Sequence, residues 1–502
     1  MLDNLKLTVK NSLIYGLGNV SLKITGLILI PIYTNTRFLS LEEYGVLGML
    51  EILAQLSVAI IELSLNQSLT RWYWDPDSRK KQKSMFFTVL MTILGMAVLM
   101  NALIFPSKEL ISDILFSSSD KAGLIQIMFL SATFDVFVGT IQTQLKLQQK
   151  AVLFTVTNIM KLLVTLCMTI LLIVHFHHSV DAIFIGQISG SMVFILLLLP
   201  HVLKNLEIRL EKQILKEMLV YSYPLIIASV SAILLNTLDR YFLNYYSGLK
   251  EVGLYSLGFK IANTVKVLIV MSVQMAVSPM LFQMMNSPER YRFYSKYMTY
   301  FAFVTMFMVL GLSLFGREII KVITIDRAYW ESFRIMPLIG LAIFFSMLKD
   351  TSLLGLQIAK KSKIVSTIVV LMTLLNLGLN FVLTPVLGMY GASLSSLLAQ
   401  AVFFVVIYRI AQKHYPIPYE IGKIMLLFIT GALLLSVSYI PGEWNAILRF
   451  LIKTAVLVSF PFILIVFGFY EKIEQIRLLE FYRKWKNPLH WKQNLDEMLK
   501  NR

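Results

Sequence analysis

The sequence predicts an all-α polytopic membrane protein of about 14 transmembrane helices. They form two six-helix bundles related by a parallel repeat, followed by two C-terminal helices. Three observations predict this. Apolar runs of about 20 residues, each long enough to cross a bilayer, recur from end to end. Of the 502 residues, 57% are hydrophobic and only 15% are charged, whereas a soluble domain carries about a quarter charged residues. Finally, the chain resembles itself when slid by about 208 residues.

The spans lie near residues 12–33, 44–66, 84–105, 121–143, 152–174, 181–203 and 219–239, then near 252–275, 297–316, 332–355, 364–385, 390–409, 420–440 and 447–469. The first is too long for a signal peptide, lacks a small-residue cleavage site and carries Lys23 in its middle. The net charge of +17 follows from topology. With the N-terminus in the cytoplasm, about 30 of the 46 Lys and Arg fall in inner loops and roughly eight in outer ones. RWYWDPDSRKKQKS (71–84), the segment from Lys204 to Lys216, ERYRFYSK (289–296) and KKSK (360–363) are inner loops, and PSKELISDILFSSSD (106–120) reads as an outer loop. Both termini are expected inside, and the basic residues require no nucleic acid.

The repeat has a near-constant register. LSLEEYGVLGM (39–49) lies on SGLKEVGLYSL (247–257), so Gly45 falls on Gly253, and DAIFIGQISGSMVFILLLLP (181–200) lies on YGASLSSLLAQAVFFVVIYR (390–409). The shift covers six spans. An even number keeps both halves in one orientation, a common transporter plan. The expected division is an N-terminal bundle (1–203), a cytoplasmic linker (204–218), a C-terminal bundle (219–413), two extra spans (414–469) and a basic amphipathic tail (470–502), read as an interfacial helix on the inner leaflet.

Ionisable residues inside spans are costly and usually face a cavity or a partner. Lys23 follows Asn19 on one face of the first span. Glu51, Gln55, Glu62 and Asn66 form a stripe on the second, and the fourth carries Asp135. Asn158, Lys161, Thr165 and Thr169 share a face of the fifth. Asn236, Asp239 and Arg240 end the seventh; Lys260, Asn263 and Lys266 lie in the eighth; Lys349 and Asp350 lie in the tenth. Glu51 could pair with Lys23. In mid-span, lysines outnumber acids, and a surplus of positive charge asks for an anionic guest in a hydrated cavity. Lys23, Lys161, Lys260, Lys266, Arg240, Lys349, Asn19, Asn158 and Asn263 are therefore candidates for the cavity wall. Asp135, Glu51 and Glu62 are candidates for coupling to H+ or Na+. In NLGLNFVLTPVLGMYGAS (376–393), Asn376, Asn380 and Thr384 are four apart and share a helix face. Pro385 is expected to end that helix, with Gly388 and Gly391 turning into the next.

Several chemistries lack their residues. There is no phosphate-binding GxxxxGK[ST] loop, HExxH or Ser-His-Asp arrangement. Cys167 is the only cysteine, so no disulfide framework or thiolate metal site exists. HFHHSV (175–180) clusters three His without carboxylate or cysteine support. No cofactor and no resident metal are expected, and no large outer loop is present to hold an enzymatic centre.

The stretch NLGLNFVLTPVLGMYGAS resembles the N-x3-N-x4-P-x2-G-x2-GA pattern of the polysaccharide transporter branch of the multidrug/oligosaccharidyl-lipid/polysaccharide exporter superfamily. The opening resembles that branch too, with Pro31, Tyr33 and Thr34, then Leu39 and Glu43-Tyr44-Gly45. The resemblance implies a V-shaped pair of bundles opening alternately to each side of a bacterial cytoplasmic membrane. It implies a flippase for undecaprenyl-pyrophosphate-linked oligosaccharide in O-antigen, capsule or exopolysaccharide assembly, with polymer-assembly proteins as partners. In related lipid II flippases the two last helices form a groove for the lipid tail. A cation-coupled drug exporter would favour acids and aromatics at its site, a lipid II flippase would share the plan, and a polymerase or ligase would need a large outer loop.

Overall fold

In a computed structural model the described residues are 26–76, 78–359, 361–439 and 445–476. Helices follow one another almost without interruption: α1 (Ile30–Tyr33), α2 (Leu41–Glu62), α3 (Leu65–Trp72), α4 (Gln82–Phe116), α5 (Ala122–Leu147), α6 (Ala151–Ile170), α7 (Val180–Lys204) and α8 (Lys212–Ser247). The second part contains α9 (Leu249–Val265), α10 (Met271–Gln283), α11 (Arg290–Leu314), α12 (Gly316–Ile323), α13 (Met336–Ile358), α14 (Ser362–Leu387), α15 (Met389–His414), α16 (Ile421–Leu435) and α17 (Ala446–Val466). Among the described residues, 12 helices are long and apolar enough to cross a membrane, and α16 is a shorter apolar helix. Most of the expected first span, with Asn19 and Lys23, and the tail beyond residue 476 lie outside the described residues.

The repeat reappears in the helix boundaries. Leu41 and Leu249 both start helices, as do Gln82 and Arg290, then Val180 and Met389. Two boundaries depart from expectation. The segment 106–120 is not a loop: α4 runs through Pro106 to Phe116. Proline removes one backbone donor there, while Ile111, Leu115 and Phe116 pack against the core beyond it, and that packing continues the helix. Likewise Pro385 does not end α14, which stops at Gly388 with φ +52°. Asn380 Nδ2 donates to the Asn376 side-chain oxygen at 3.1 Å, and Thr384 Oγ1 donates to Asn380 Oδ1 at 3.1 Å. The Asn–Asn–Thr stripe is thus a hydrogen-bonded string along one buried helix face, which satisfies polar groups where lipid could not.

Because helices alternate, the loops fall at two ends. One holds Arg71, Lys81, Arg209, Arg290, Lys361 and Lys413, and is called the basic end; the other is the far end. The apolar core has a different arrangement at each. Leu39, Leu47 and Leu50 of the first half share one continuous core with Leu257, Ile261 and Met347 of the second. Toward the basic end the cores separate, with Ile61, Phe86, Phe154 and Phe194 in one half and Leu356, Phe403 and Ile407 in the other. The halves are joined at the far end, and toward the basic end α8 still ties them, its Ser222 hydroxyl 2.7 Å from that of Ser68. The 204–218 linker is docked on the first half: Ser84 Oγ donates to Glu211 at 3.1 Å, and Glu211 N–H donates to Thr88 Oγ1 at 3.0 Å.

Candidate functional site: a cavity under a closed helix crossing

The far end closes where α2 crosses α9, and the two repeat-related glycines make the crossing. A Cβ on Gly45 would lie 2.1 Å from the Leu249 carbonyl oxygen, and one on Gly253 would lie 2.4 Å from that of Leu41. Only hydrogen fits on either side. Around this point Lys250 pairs with Glu42 at 3.4 Å, and Asn244 Nδ2 donates to Leu115 O at 2.6 Å. Thr36 donates to Asp326, and the Tyr329 ring meets Tyr44 edge-on at 5.6 Å. The Asp326 carboxyl is held below its usual range by the Ala328 backbone N–H and then by the Thr36 hydroxyl.

Two glutamates at repeat-related positions brace the same end. Glu43 accepts from Ser40 N–H at 2.8 Å and from the Ser179 hydroxyl, just ahead of α7. Glu251 accepts from Met389 N–H at 3.2 Å, at the start of α15. An acid at a helix N-terminus complements the exposed amides and the dipole. In both halves the first shared helix thereby fixes the last.

Two turns below Gly45 on α2, Glu51 Oε1 receives a hydrogen bond from Lys260 Nζ at 2.8 Å, and this ion pair bridges the halves. The structure gives Glu51 a partner 209 positions away, and the expected Lys23 lies outside the described residues. Lys260 also stands 5.8 Å from the Tyr44 ring centre. One turn further down begins a cavity of about 360 Å³ between the halves, lined by Gln55, Glu62, Gln67, Asp135 and Ser229 among others. Asp135 accepts from Lys161 Nζ at 2.7 Å and from Ser191 Oγ at 3.2 Å.

The other candidates are distributed more widely. Asn263 and Lys266 line a second, smaller cavity of about 30 Å³ in the second half, with Asn236, Phe259 and Gln400. Arg240 is buried, with its guanidinium 4.7 Å over the Phe259 ring. Lys349 pairs with its neighbour Asp350 at 2.9 Å and stands over Phe403 at 4.8 Å. Asn158 does not line the cavity: it is fully buried, its Oδ1 accepting from Gln142 at 2.7 Å. Thr165 and Thr169 likewise face α7, where a Cβ on Gly190 or Gly186 would fall 2.1 Å from their hydroxyl oxygens. That polar face is a close helix contact through small residues, and only Lys161 reaches past it. Three of the expected cations are met by carboxylates here. Lys161, Lys260 and Lys349 each hold an acid, so neither partner stands as a lone charge in low dielectric.

Sequence reading missed one buried pair. Lys453 of α17 is 1% exposed and donates to both oxygens of Glu318 at 3.0 and 2.8 Å. Arg449 and Lys453 are spaced i,i+4, which was the available signal. In the HFHHSV loop, His178 Nδ1 lies 2.6 Å from Asp181. Among the described residues no group of three His, Cys, Asp or Glu is placed to hold a metal.

Comparison with known proteins places this geometry. A family model described as polysaccharide biosynthesis protein matches residues 8–285, and a second, MatE, matches residues 224–382. The fold is similar to that of the lipid II flippase MurJ in an inward closed conformation: the TM-score is 0.70 at 15% identity, over 95% of this chain and 100% of that one. It is also similar to an inward-facing multidrug resistance MATE family transporter of the MOP superfamily, with TM-score 0.59 and 14% identity over 84% and 96% of the two chains. A Vibrio cholerae MATE transporter, VcmN, matches with TM-score 0.56 at 14% identity, over 81% and 96%. No curated protein matches by sequence. The expected exporter fold is the observed one, and with more than half of its length matched by one family model, this multi-pass membrane protein belongs to the polysaccharide biosynthesis protein family.

Proposed function

We propose that the protein is a flippase. It carries undecaprenyl-pyrophosphate-linked oligosaccharide across the bacterial cytoplasmic membrane, for O-antigen, capsule or exopolysaccharide assembly. The basic end faces the cytoplasm, in keeping with the lysine and arginine bias of its loops. The observation that carries this reading is a cavity between two halves, closed above by an interlocked helix crossing, with Asp135 in its wall paired to Lys161 behind it and the Glu51–Lys260 pair one turn above it.

The pairs supply a mechanism. The isoprenoid tail stays in the bilayer, and the head group enters the cavity. A diphosphate oxygen replaces a carboxylate on Lys161 or Lys260, a swap that never leaves the ammonium unpaired. The displaced Asp135 or Glu51 becomes an unpaired anion in a poorly hydrated wall, where taking up H+ or Na+ is favourable. Substrate loading and ion loading are then coupled. The halves rock, the far-end crossing opens, and the diphosphate and the cation leave together as the carboxylate regains its lysine, a net negative charge that an inside-negative membrane potential drives outward.

Replacing Lys161 or Lys260 with alanine is expected to abolish transport while leaving membrane insertion intact. Normal polymer output from both single variants would sink the cavity assignment. A second reading draws on Glu62 and Asp135 in the same cavity wall: two acids also suit a cationic drug. A deletion strain separates the readings. Complete lipid-linked repeat units trapped on the cytoplasmic face, with surface polymer lost, support the oligosaccharide flippase. Trapped lipid II would transfer the reading to peptidoglycan precursor. No accumulation, with new sensitivity to cationic drugs, would replace it with drug export.

A further inference from the structure

A second charged cluster lies at the far end, away from the cavity. α12 follows α11 after a single residue and carries Arg317 and Lys321 four positions apart, one turn on the same face. Arg327 follows in the next turn, and Arg449 and Lys453 come from the first turns of α17. Among the described residues, the carboxylate shared by this group is Glu318, held by Lys453 and lying 3.5 Å from Arg449 Nε. The neighbouring acids are engaged elsewhere: Asp326 by Thr36 and Ala328 N–H, and Glu331 by Arg334.

The surroundings place the cluster at an interface between water and lipid. Lys321 Nζ lies 4.3 Å and Arg327 5.4 Å from the Trp330 ring centre. Tryptophan and basic side chains gather at this depth of a bilayer. Val322, on a short helix whose Ile320 is fully buried, and Ile325, in the turn after it, are 86% and 62% exposed. An exposed Val and Ile beside three cations on a membrane protein suit the acyl and headgroup regions of one lipid. The Lys321 ammonium is held below its usual range, first by burial and then by Arg317 and Arg449, with Glu318 opposing. Mutual repulsion of this kind is relieved by an added anion.

We propose that α12 and the first turns of α17 form a binding site for the phosphate-bearing headgroup of an anionic lipid in the far leaflet. Arg317, Lys321 and Arg327 hold the phosphate, and Val322 and Ile325 meet the top of the acyl chains. Glu318, already bridged to Lys453, locks α17 beneath the site, so lipid binding and docking of the last helix reinforce each other.

The test uses the full-length protein in detergent, with lipid retention read by native mass spectrometry. The probes are dioleoylphosphatidylglycerol, dioleoylphosphatidylcholine and inorganic pyrophosphate. Phosphatidylglycerol is expected to be retained and to raise the melting temperature, with phosphatidylcholine inert. Each of Arg317→Gln, Lys321→Gln and Arg327→Gln is expected to weaken retention about fivefold, in line with roughly 1 kcal/mol per cation near a lipid surface. The charge-preserving pair Arg317→Lys and Lys321→Arg should bind as the parent does, which guards against a folding defect. Equal loss of retention on Lys363→Gln, at an exposed lysine of the basic end, would overturn the site as nonspecific charge. Stabilisation by pyrophosphate alone would overturn the lipid and leave a free-phosphate site, and unchanged retention in all three glutamine variants would overturn both.

Discussion

Gly45→Ala is expected to pry the two halves apart at the far end. The added Cβ would sit 2.1 Å from the Leu249 carbonyl oxygen and 3.3 Å from Gly253 N. Both are backbone atoms of a packed helix, so no rotamer change relieves the overlap and α2 must move from α9. Overpacking of this kind costs about 1–3 kcal/mol. If the protein alternates between two states, that strain falls only on the state in which the crossing is closed. The equilibrium should therefore shift toward the far-end-open state by roughly five- to 150-fold. A disulfide between Thr36→Cys and Asp326→Cys, built in a Cys167→Ser background because Cys167 is exposed, reports closure. Its yield should fall steeply in the Gly45→Ala variant and in Gly253→Ala, and polymer output should fall with it. An unchanged yield would mean that the crossing is not the element that closes.

The glycine pair shows what the sequence made legible. Gly45 and Gly253 occupy one position of a repeat that is visible without coordinates, and a glycine kept in a helix twice suggests close approach. The Glu43 and Glu251 braces lie in the same matched segments. Long-range partners were not legible in the same way. Glu51 has lysines available on several spans, and periodicity orders residues along one helix without saying which helix faces it; the choice of Lys260 is made by the α2–α9 crossing. Asn158 and Lys161 illustrate the same limit. One turn apart on a polar face, they have different fates, because α5 supplies Gln142 to the first and Asp135 to the second. Pro106 and Pro385 misled the boundaries for a related reason. A missing backbone hydrogen bond is a local cost, and packing beyond the proline outweighs it.

The pair formed by Lys260 and Glu51 carries the second large effect, and it separates closing from transport. Its members are 21% and 32% exposed, between the surface case of under about 1 kcal/mol and the buried case of about 3–5 kcal/mol on removing one partner. Lys260→Ala strands the Glu51 carboxylate under the crossing, and Glu51→Ala strands the ammonium. Each is expected to weaken closure by about 1–3 kcal/mol, read as lower yield in the Thr36–Asp326 crosslink, and to cut polymer output at least tenfold. The double variant removes both stranded charges. If the pair serves only as a strut between halves, the double variant should recover closure and transport together. If Lys260 also receives the diphosphate, closure should recover while transport stays low, because nothing replaces the ammonium. The reversed pair, Glu51→Lys with Lys260→Glu, sharpens the distinction by restoring the strut and moving the cation to the other half. Full transport by the reversed pair would remove Lys260 from the substrate path and leave Lys161, with Asp135, as the exchange site in the cavity wall.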